Sequence, residues 1–238
     1  SLYPTTGTLY RSLGWGYAAG YAWHRIELAE LPPAQATAGH EFTPGTFSDA
    51  WPLYNAVAPT HNGWLARSAM HWVSAEYDHQ HRDTATGTYL VHRDGHLVGF
   101  LAFHPERDRE SRFELVATQL VALDRDAYRA IFAFVQSMGS MARALRTCIP
   151  EYVLLATLDH PHRVERIRSH PSMTRIVDAR AAIASRGYAP HLDAEIHLDL
   201  HDPEIAHNDG PFVLRVRDGA ATLEPGGNAE VGVAIGDF

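Results

Sequence analysis

Histidines are the side chains of this sequence whose number and spacing first suggest metal chemistry. The chain contains sixteen of them, and His197, Asp199 and His201 fall on one face of a predicted strand, where they could supply ligands to zinc. Apolar residues alternate with these three along the chain, however, which is typical of a half-buried strand with one solvent-exposed face. The alternation favours an ordinary strand, and the sequence predicts no metal site.

A tyrosine and a cysteine are the other candidates for chemistry. Tyr10 follows the run Thr5-Thr6-Gly7-Thr8 and precedes a Gly14-Trp15 turn, so its phenol is expected where a glycine-containing loop enters a helix or strand. The residues alone leave two roles open, a hydroxyl that serves a ligand and a ring that packs in the core. Cys148 is a lone thiol beside Ile149 and Pro150, which favours packing over nucleophilic catalysis.

Composition narrows the class of protein. The chain has 238 residues, a formal net charge of −8 and 45% hydrophobic residues, which is enough to bury a core and too acidic for a broad nucleic-acid interface. No apolar run reaches the roughly 20 residues that a membrane span needs. The single cysteine excludes an internal disulfide and fits a reducing cytoplasm. All the basic residues counted as Lys or Arg are arginine, so lysine Schiff-base chemistry is absent.

The central part of the chain has a mixed α/β pattern. Apolar residues at helical spacing predict two short helices around His61-Asn62-Gly63, and the small, polar run 34–46 before them reads as a linker or a long loop. Strand-like runs follow at 88–92, 96–103 and 113–123, the first two joined by an Asp94-Gly95 hairpin turn. Asp124 is expected to cap a helix with an apolar face that extends to Leu145, and 151–157 reads as a returning strand.

The flanking segments have a different pattern. A strand is predicted over 17–28, and GWGYAAG at 14–20 reads as a turn because its spacing does not fit a dinucleotide-binding loop. Near the other end, 173–177 reads as a strand and Asp178 as the cap of a short helix ending near Gly187. Runs at 194–201, 211–217 and 229–235 alternate as strands. The fold class predicted is α+β, a mixed α/β domain followed by an incomplete antiparallel sheet.

Three stretches carry a resemblance to a known family. They are LYPTTGTLYRSLGWGYAAG near the start, TRIVDARAAIASRGY from Thr174, and FVLRVRDGAATLEP from Phe212. In this order they resemble the enhanced intracellular survival (Eis) family of GCN5-related N-acetyltransferases (GNAT), and the similarity covers essentially the whole chain. The family has an N-terminal acetyltransferase domain, a degenerate second one, and a C-terminal domain like sterol carrier protein (SCP2-like).

The resemblance implies a division of this chain into three parts. Residues 1–31 look like the tail of the N-terminal GNAT domain, 32–172 like the central degenerate GNAT domain, and 173–238 like the start of the SCP2-like domain. The main acetyl-CoA binding loop of the family, written R/Q-x-x-G-x-G/A, would then precede this sequence. The central junction Val121-Ala122-Leu123-Asp124-Arg125-Asp126 has no glycine and two carboxylates where phosphates would lie, which argues against coenzyme A at that junction.

The resemblance also implies roles for three residues. Tyr10 matches the tyrosine that the family uses as general acid toward the departing coenzyme A thiolate, and a phenol with a reference pKa of about 10 suits a thiolate whose conjugate acid has a pKa of about 8.5. Thr5 and Thr8 match polar positions beside the acetyl-CoA pocket. The family's general base is its C-terminal carboxylate. Phe238 is not expected to supply it, since 231–238 resembles the middle of the SCP2-like sheet.

Three hypotheses for function follow. The first is an acetyl-CoA-dependent N-acetyltransferase of amines such as aminoglycosides or polyamines, present here as a partial chain. The second is a non-catalytic module that binds an apolar ligand or partner, which an open pocket over Ile196, Leu198, Val213 and Val216 would favour. The third is a histidine-bound metal hydrolase. We further expect a small-molecule amine acceptor, a homo-oligomer, a cytoplasmic location and no nucleic-acid partner.

Overall fold

The computed structural model describes residues 1–61 and 63–238. Its helices are α1 (Gly7–Ser12), α2 (Phe47–Val57), α3 (Ala69–Gln80), α4 (Arg125–Gln136), α5 (Glu151–Thr157) and α6 (Ala179–Ala184). Its strands are β1 (Gly16–Glu27), β2 (Glu41–Pro44), β3 (Gly87–Arg93), β4 (His96–Arg107), β5 (Phe113–Ala122), β6 (Ala144–Thr147), β7 (Glu165–Thr174), β8 (Ala194–His201), β9 (Gly210–Arg217), β10 (Ala220–Pro225) and β11 (Val231–Ala234).

The chain divides into two compact units, which are described separately. The first unit combines residues 1–20 with 170–238, and the second consists of residues 21–169. None of the helices in the described part of the chain is long and apolar enough to cross a membrane.

The second unit is built on the larger sheet, whose strand order over the described residues is β2-β3-β4-β5-β6-β1-β7. The predicted hairpin between β3 and β4 is confirmed. Asp94 and Gly95 both have positive φ, 51° and 75°, as the tight turn of a twisted hairpin requires. Alternate residues of β4 point to opposite faces, so that Leu101 packs with α4 and α5 while Phe100 packs with α2 and α3. Both faces of this sheet therefore carry helices.

The sheet opens between two of its strands. Strands β5 and β6 are parallel, and they pair only from Glu114 with Ala144 to Val116 with Arg146. Beyond that point β5 continues to Ala122, whereas β6 ends at Thr147. The later part of β5 thus has no β6 residue paired with it along that edge.

Several helices of the second unit follow the sequence prediction. Helices α2 and α3 lie on either side of the predicted His61-Asn62-Gly63 connection, of which Asn62 lies outside the described residues. The Asp124 carboxylate accepts a hydrogen bond from the Ala127 amide at 3.0 Å, which confirms Asp124 as the cap of α4. An order of three strands, a helix and a strand is found, but its last strand is β6 and not the predicted run 151–157.

The fifth element of that order is not the predicted one. Helix α4 ends at Gln136, and Leu145 belongs to the short strand β6. The run 137–140, Ser-Met-Gly-Ser, contains poor helix formers that end the helix early. The predicted strand 151–157 is helix α5, since Pro150 precedes it and Glu151 lies in its first turn, both favourable at a helix N-terminus.

Two other predictions need correction. The run 34–46, expected to be a linker or a long loop, contains strand β2, and its last residue, Thr46, caps α2 in a reciprocal capping box with Asp49. The expected strand 173–177 overlaps only the end of β7, which begins at Glu165.

The first unit contains the smaller sheet, whose strand order is β10-β9-β8-β11. Strands β8, β9 and β10 are antiparallel, but β11 lies parallel to β8, so the sheet is not wholly antiparallel as expected. Asp178 caps α6 through the Ala181 amide, as predicted, and Ile183 of α6 packs into the apolar core over this sheet. Strand β10 was not predicted from the sequence.

Candidate functional site

Tyr10 lies in the short helix α1, where a neighbouring aromatic ring fixes its orientation. The Trp15 ring packs edge-on against the Tyr10 ring with 6.0 Å between centroids, and the Trp15 amide donates a hydrogen bond to the Tyr10 carbonyl at 3.1 Å. Tyr10 is half-buried, and within residues 1–61 and 63–238 its hydroxyl has no hydrogen-bond partner. The phenol is thus held by its ring and available at its hydroxyl.

Thr5 and Thr8 lie close to Tyr10 in the chain, in the turn before α1 and in its first residues. Both are exposed. The intervening Thr6 occupies the N-cap position of α1 but makes no side-chain capping bond. The structure places the three residues predicted from the resemblance in one short segment, with two free to contact solvent.

The turn that follows α1 is anchored by a buried ion pair. Arg175 donates to the Gly14 carbonyl at 3.1 Å and to Asp202 Oδ1 at 2.6 Å. Burial raises the pKa of Asp202, but hydrogen bonds from Arg175, from Asn208 and from backbone amides outweigh it and lower the pKa. Gly14 has φ of +78°, a conformation that side chains other than glycine seldom adopt. This arrangement fixes the backbone that carries Trp15 against Tyr10.

Residues near Phe238 lie beside the same segment. The Gly236 carbonyl would be 1.8 Å from a Cβ at Gly16, so the two backbones approach more closely than any side chain at Gly16 permits. Arg11 and Asp237 form an exposed ion pair at 3.1 Å. The Phe238 ring packs against the apolar core of the first unit.

The N-terminus of α4 is the phosphate-binding position that the resemblance implies for the central domain. Asp124 caps this helix and also accepts from Arg93 at 2.7 and 3.3 Å. The Arg93 hydrogen bond is the largest cause of the lowered pKa of Asp124, and burial opposes it. A carboxylate of the chain itself therefore takes the place that a phosphate would need.

Arg67, a partly buried arginine of the second unit, was not singled out from the sequence. Arg67 donates to Gln119 Oε1 at 2.7 Å, and its guanidinium lies 4.0 Å from the centre of the Tyr54 ring and 4.9 Å from that of Trp72. Burial is the largest cause of the lowered pKa of Arg67. No carboxylate lies within ion-pair distance of it in the described part of the chain. Its partners lie on α2, α3 and β5, so no local spacing in the sequence indicates that these residues come together.

His197, His201 and Cys148 each have neighbours that the fold itself supplies. The Nδ1 atom of His197 accepts from the Asn228 amide at 2.9 Å, and its Nε2 lies 3.2 Å from Glu195. His201 Nδ1 lies 3.2 Å from Asp209. A search of the described residues finds no cluster of three or more side chains that could hold a metal ion. Burial is the largest cause of the raised pKa of the Cys148 thiol, which makes it a poor nucleophile.

Family models match two consecutive regions of the chain. The family model of the Acetyltransferase (GNAT) domain matches residues 63–177, and that of the Sterol carrier protein domain matches residues 179–238. A search of curated proteins gives no match.

Solved structures agree with this assignment. A GCN5-related N-acetyltransferase from Anabaena variabilis ATCC 29413 has a TM-score of 0.86 at 25% identity, over 99% of this chain and 60% of that one. A GCN5-related N-acetyltransferase from Kribbella flavida has a TM-score of 0.76 at 24% identity, over 98% and 57%. Eis1 from Mycobacterium abscessus has a TM-score of 0.73 at 18% identity, over 99% and 60%. This chain spans about 60% of the length of these proteins, and it contains a domain with the GNAT fold followed by a sterol carrier protein-like domain.

Proposed function

We propose that this chain is part of an acetyl-CoA-dependent N-acetyltransferase of the Eis type that acts on amines. The observation that carries the proposal is the order of the two domains, GNAT followed directly by sterol carrier protein-like. Because the chain spans only part of its relatives, the activity is proposed for the whole protein. In that protein 1–31 would complete an N-terminal GNAT domain, 32–172 would form the central degenerate GNAT domain and 173–238 would begin the SCP2-like domain.

Tyr10 is the residue proposed to act in the reaction. The neutral amine attacks the thioester carbonyl, a C–N bond forms, and the C–S bond breaks as the tetrahedral adduct collapses. The Tyr10 hydroxyl donates its proton to the leaving sulfur, and the proton lost by the amine goes to a base. The unpartnered hydroxyl of Tyr10 among the described residues suits this role. Thr5 and Thr8, both exposed beside it, are proposed to border the acetyl-CoA site.

The amine class is proposed from charge. The formal net charge of −8 favours a cationic acceptor such as an aminoglycoside or a polyamine. The central domain is not proposed to bind acetyl-CoA, since Asp124 and Arg93 fill the N-terminus of α4. The protein is proposed to act in the cytoplasm.

The test is acetyl transfer by the full-length gene product, measured as thiol release with spermidine and with kanamycin as acceptors. Tyr10→Phe is expected to lower kcat by about 100-fold or more, the usual contribution of a general acid. Tyr152→Phe, at a tyrosine that is 51% exposed in α5, should leave kcat unchanged. Absence of amine-dependent thiol release, or an unchanged rate in Tyr10→Phe, would refute the proposal.

The non-catalytic alternative loses its main support. Leu198 and Val216 belong to the packed core of the first unit, and Val213 is 5% exposed beneath Gly227. Ile196 is the one residue of the expected pocket that is largely exposed. The apolar residues expected to line an open pocket are thus mostly covered by protein.

Self-association stays a proposal with support of its own. Met70, Val73 and Tyr77 form an exposed stripe on one face of α3, and they are 74%, 61% and 59% exposed. Sedimentation velocity on the 238-residue chain tests it. A concentration-independent monomer would refute it.

A further inference from the structure

The buried ion pair of the first unit is built around a carboxylate that solvent does not reach. The Asp202 side chain is 0% exposed and that of Arg175 is 10% exposed, with 2.6 Å between Asp202 Oδ1 and Arg175 Nη2. The same Oδ1 atom accepts hydrogen bonds from two backbone amides, at 3.0 and 3.1 Å, and Oδ2 accepts one from Asn208 at 3.1 Å. These donors fix the carboxylate, and the carboxylate fixes the guanidinium.

The other arm of the Arg175 guanidinium holds the segment that carries Tyr10. Its Nη1 atom donates to the Gly14 carbonyl at 3.1 Å, while Nη2 contacts Asp202. A Cβ atom at Gly14 would lie 2.2 Å from that Nη1 atom, and the φ of Gly14, +78°, is in the left-handed region that favours glycine. The guanidinium therefore fits against this turn where only a glycine leaves room for it.

One peptide unit connects this contact to Tyr10. The Gly14 carbonyl and the Trp15 amide belong to the same planar peptide, so neither can move without the other. The Trp15 amide donates to the Tyr10 carbonyl at 3.1 Å, and the Trp15 ring lies edge-on to the Tyr10 ring with 6.0 Å between centroids. A displacement of the Gly14 carbonyl therefore shifts both contacts that Trp15 makes with Tyr10.

We propose that Arg175, held by Asp202, is a positioning residue for the Tyr10 phenol, which it orients through the peptide that joins Gly14 and Trp15. The inference rests on the proposed function, in which this phenol donates a proton to the leaving sulfur. Such a donor must lie within about 2.6–3.2 Å of the atom that it protonates, so a small displacement of the ring slows the reaction. Arg175 transfers no proton itself and acts only through Tyr10.

The first test is Arg175→Lys in the full-length gene product. Lysine keeps a cation beside the buried carboxylate of Asp202, so the variant should fold, but its ammonium lacks the planar fork that reaches two acceptors in fixed directions. We expect kcat for acetyl transfer to fall about tenfold, with the KM for the amine near that of the wild type. Arg180→Lys is the matched control, because Arg180 lies in the same unit and donates to the Leu223 carbonyl at 3.2 Å. Its kcat should equal that of the wild type.

The Tyr10→Phe background separates positioning from a general loss of folded protein. A residue that acts through the phenol has no further effect once the hydroxyl is absent, so Arg175→Lys should change kcat less than twofold in Tyr10→Phe. A merely destabilising change would lower kcat by the same factor in both backgrounds. Trp15→Leu removes the ring contact and leaves the ion pair intact, so it should give the same pattern even if Arg175→Lys does not fold.

Fluorine NMR of the 238-residue chain labelled with 3-fluorotyrosine measures the orientation without catalysis. The Tyr10 signal, assigned as the one lost in Tyr10→Phe, should shift in Arg175→Lys and in Trp15→Leu and stay in place in Arg180→Lys. An unmoved signal, or equal losses of kcat in both backgrounds, overturns the inference even where the wild type transfers acetyl groups. A shifted signal with no acetyl transfer by the wild type refutes the proposed function and the catalytic part of the inference, and leaves Arg175 as the residue that orients the ring.

Discussion

Two partly buried arginines of the second unit, Arg25 and Arg67, have opposite surroundings. Arg25 on β1 contacts Glu114 at 2.6 Å and Glu27 at 2.8 Å, and its side chain is 18% exposed. Burial lowers the pKa of Arg25, but the hydrogen bonds that Arg25 donates to these two carboxylates outweigh it and raise the pKa. Around Arg67, aromatic rings and one amide take the place of the carboxylates, and burial leaves the pKa lowered.

The difference shows which of the two arginines forms ion pairs that stabilise the sheet. Arg25, Arg146 and Glu114 come from three neighbouring strands, β1, β6 and β5, so their ion pairs join these strands side by side. Arg67 joins nothing of opposite charge among the described residues. Arg25 therefore contributes ion pairs to the sheet, whereas Arg67 contributes none among the described residues.

The largest expected effect compares the same substitution at both sites. Arg25→Met leaves Glu114, 7% exposed, without its closest cation and should lower the free energy of unfolding by about 3 kcal/mol. Arg67→Met leaves no carboxylate unpaired, and its apolar side chain can still cover Tyr54 and Trp72, so the loss should stay below about 1 kcal/mol. Urea denaturation of both variants measures the difference.

A matched control is Arg217→Met, since Arg217 pairs with Asp193 at a site where both are largely exposed. Its cost should be within about 0.5 kcal/mol. If Arg67→Met proved as damaging as Arg25→Met, Arg67 would be a structural residue and the comparison would fail.

Asp124 offers an intermediate case, a carboxylate that both pairs with an arginine and caps a helix. Asp124→Ala removes the bond to the Ala127 amide as well as the pair with Arg93, and should cost about 1–2 kcal/mol. Asp124→Asn keeps a good cap and loses only the half-exposed ion pair, so its cost should be below about 1 kcal/mol. Equal losses in the two variants would show that the ion pair, not the cap, holds this helix end.

The acid side of the stability curve tests the Arg25 cluster by titration. Burial raises the pKa of Glu27, but hydrogen bonds from Arg25 and Arg143 outweigh it and lower the pKa. A carboxylate whose folded-state pKa is depressed stabilises the protein above its unfolded pKa, about 4.3, and loses this contribution as the pH falls through the folded value.

Glu27→Gln should therefore flatten the decline of stability between about pH 5 and pH 3. The change should be under about 1 kcal/mol, because the Glu27 side chain is 35% exposed. Denaturation midpoints measured across this range give the two slopes. Equal slopes for wild type and variant would show that Glu27 does not contribute to the loss of stability at acid pH.

The sequence predicted those parts of the fold whose signals are local. The Asp94-Gly95 turn, the cap at Asp124 and the bounds of β8 all depend on neighbouring residues, and all are found in the structure. The run 151–157 was misread because a short apolar run does not distinguish strand from helix by its periodicity. Pro150 and Glu151 carried the better signal.

The candidate sites also differ in whether their residues are close in the sequence or are brought together only by the fold. Tyr10, Thr5 and Thr8 are close in sequence and were singled out by the family resemblance of one stretch, and their roles stay a prediction. The residues that surround Arg67 lie on two helices and a strand that are far apart in the chain. The residues near Arg67 in the sequence therefore do not indicate that its charge has no carboxylate partner among the described residues. Polar and ionic sites assembled by tertiary packing need the fold before they can be recognised.

The smallest expected effect uses Cys148 as a reporter of the charge on Arg67. Burial raises the pKa of this thiol, and Arg67 lowers it by a smaller amount. Arg67→Met removes the lowering contribution, so the midpoint of the alkylation rate against pH should move further to alkaline pH. Arg67→Lys keeps the positive charge and should leave the midpoint near that of the wild type. Rates of iodoacetamide labelling, followed by mass spectrometry, give the midpoints for all three proteins. A shift of the same size in the Met and Lys variants would mean that packing around Cys148, and not an unneutralised charge at Arg67, sets the reactivity of the thiol.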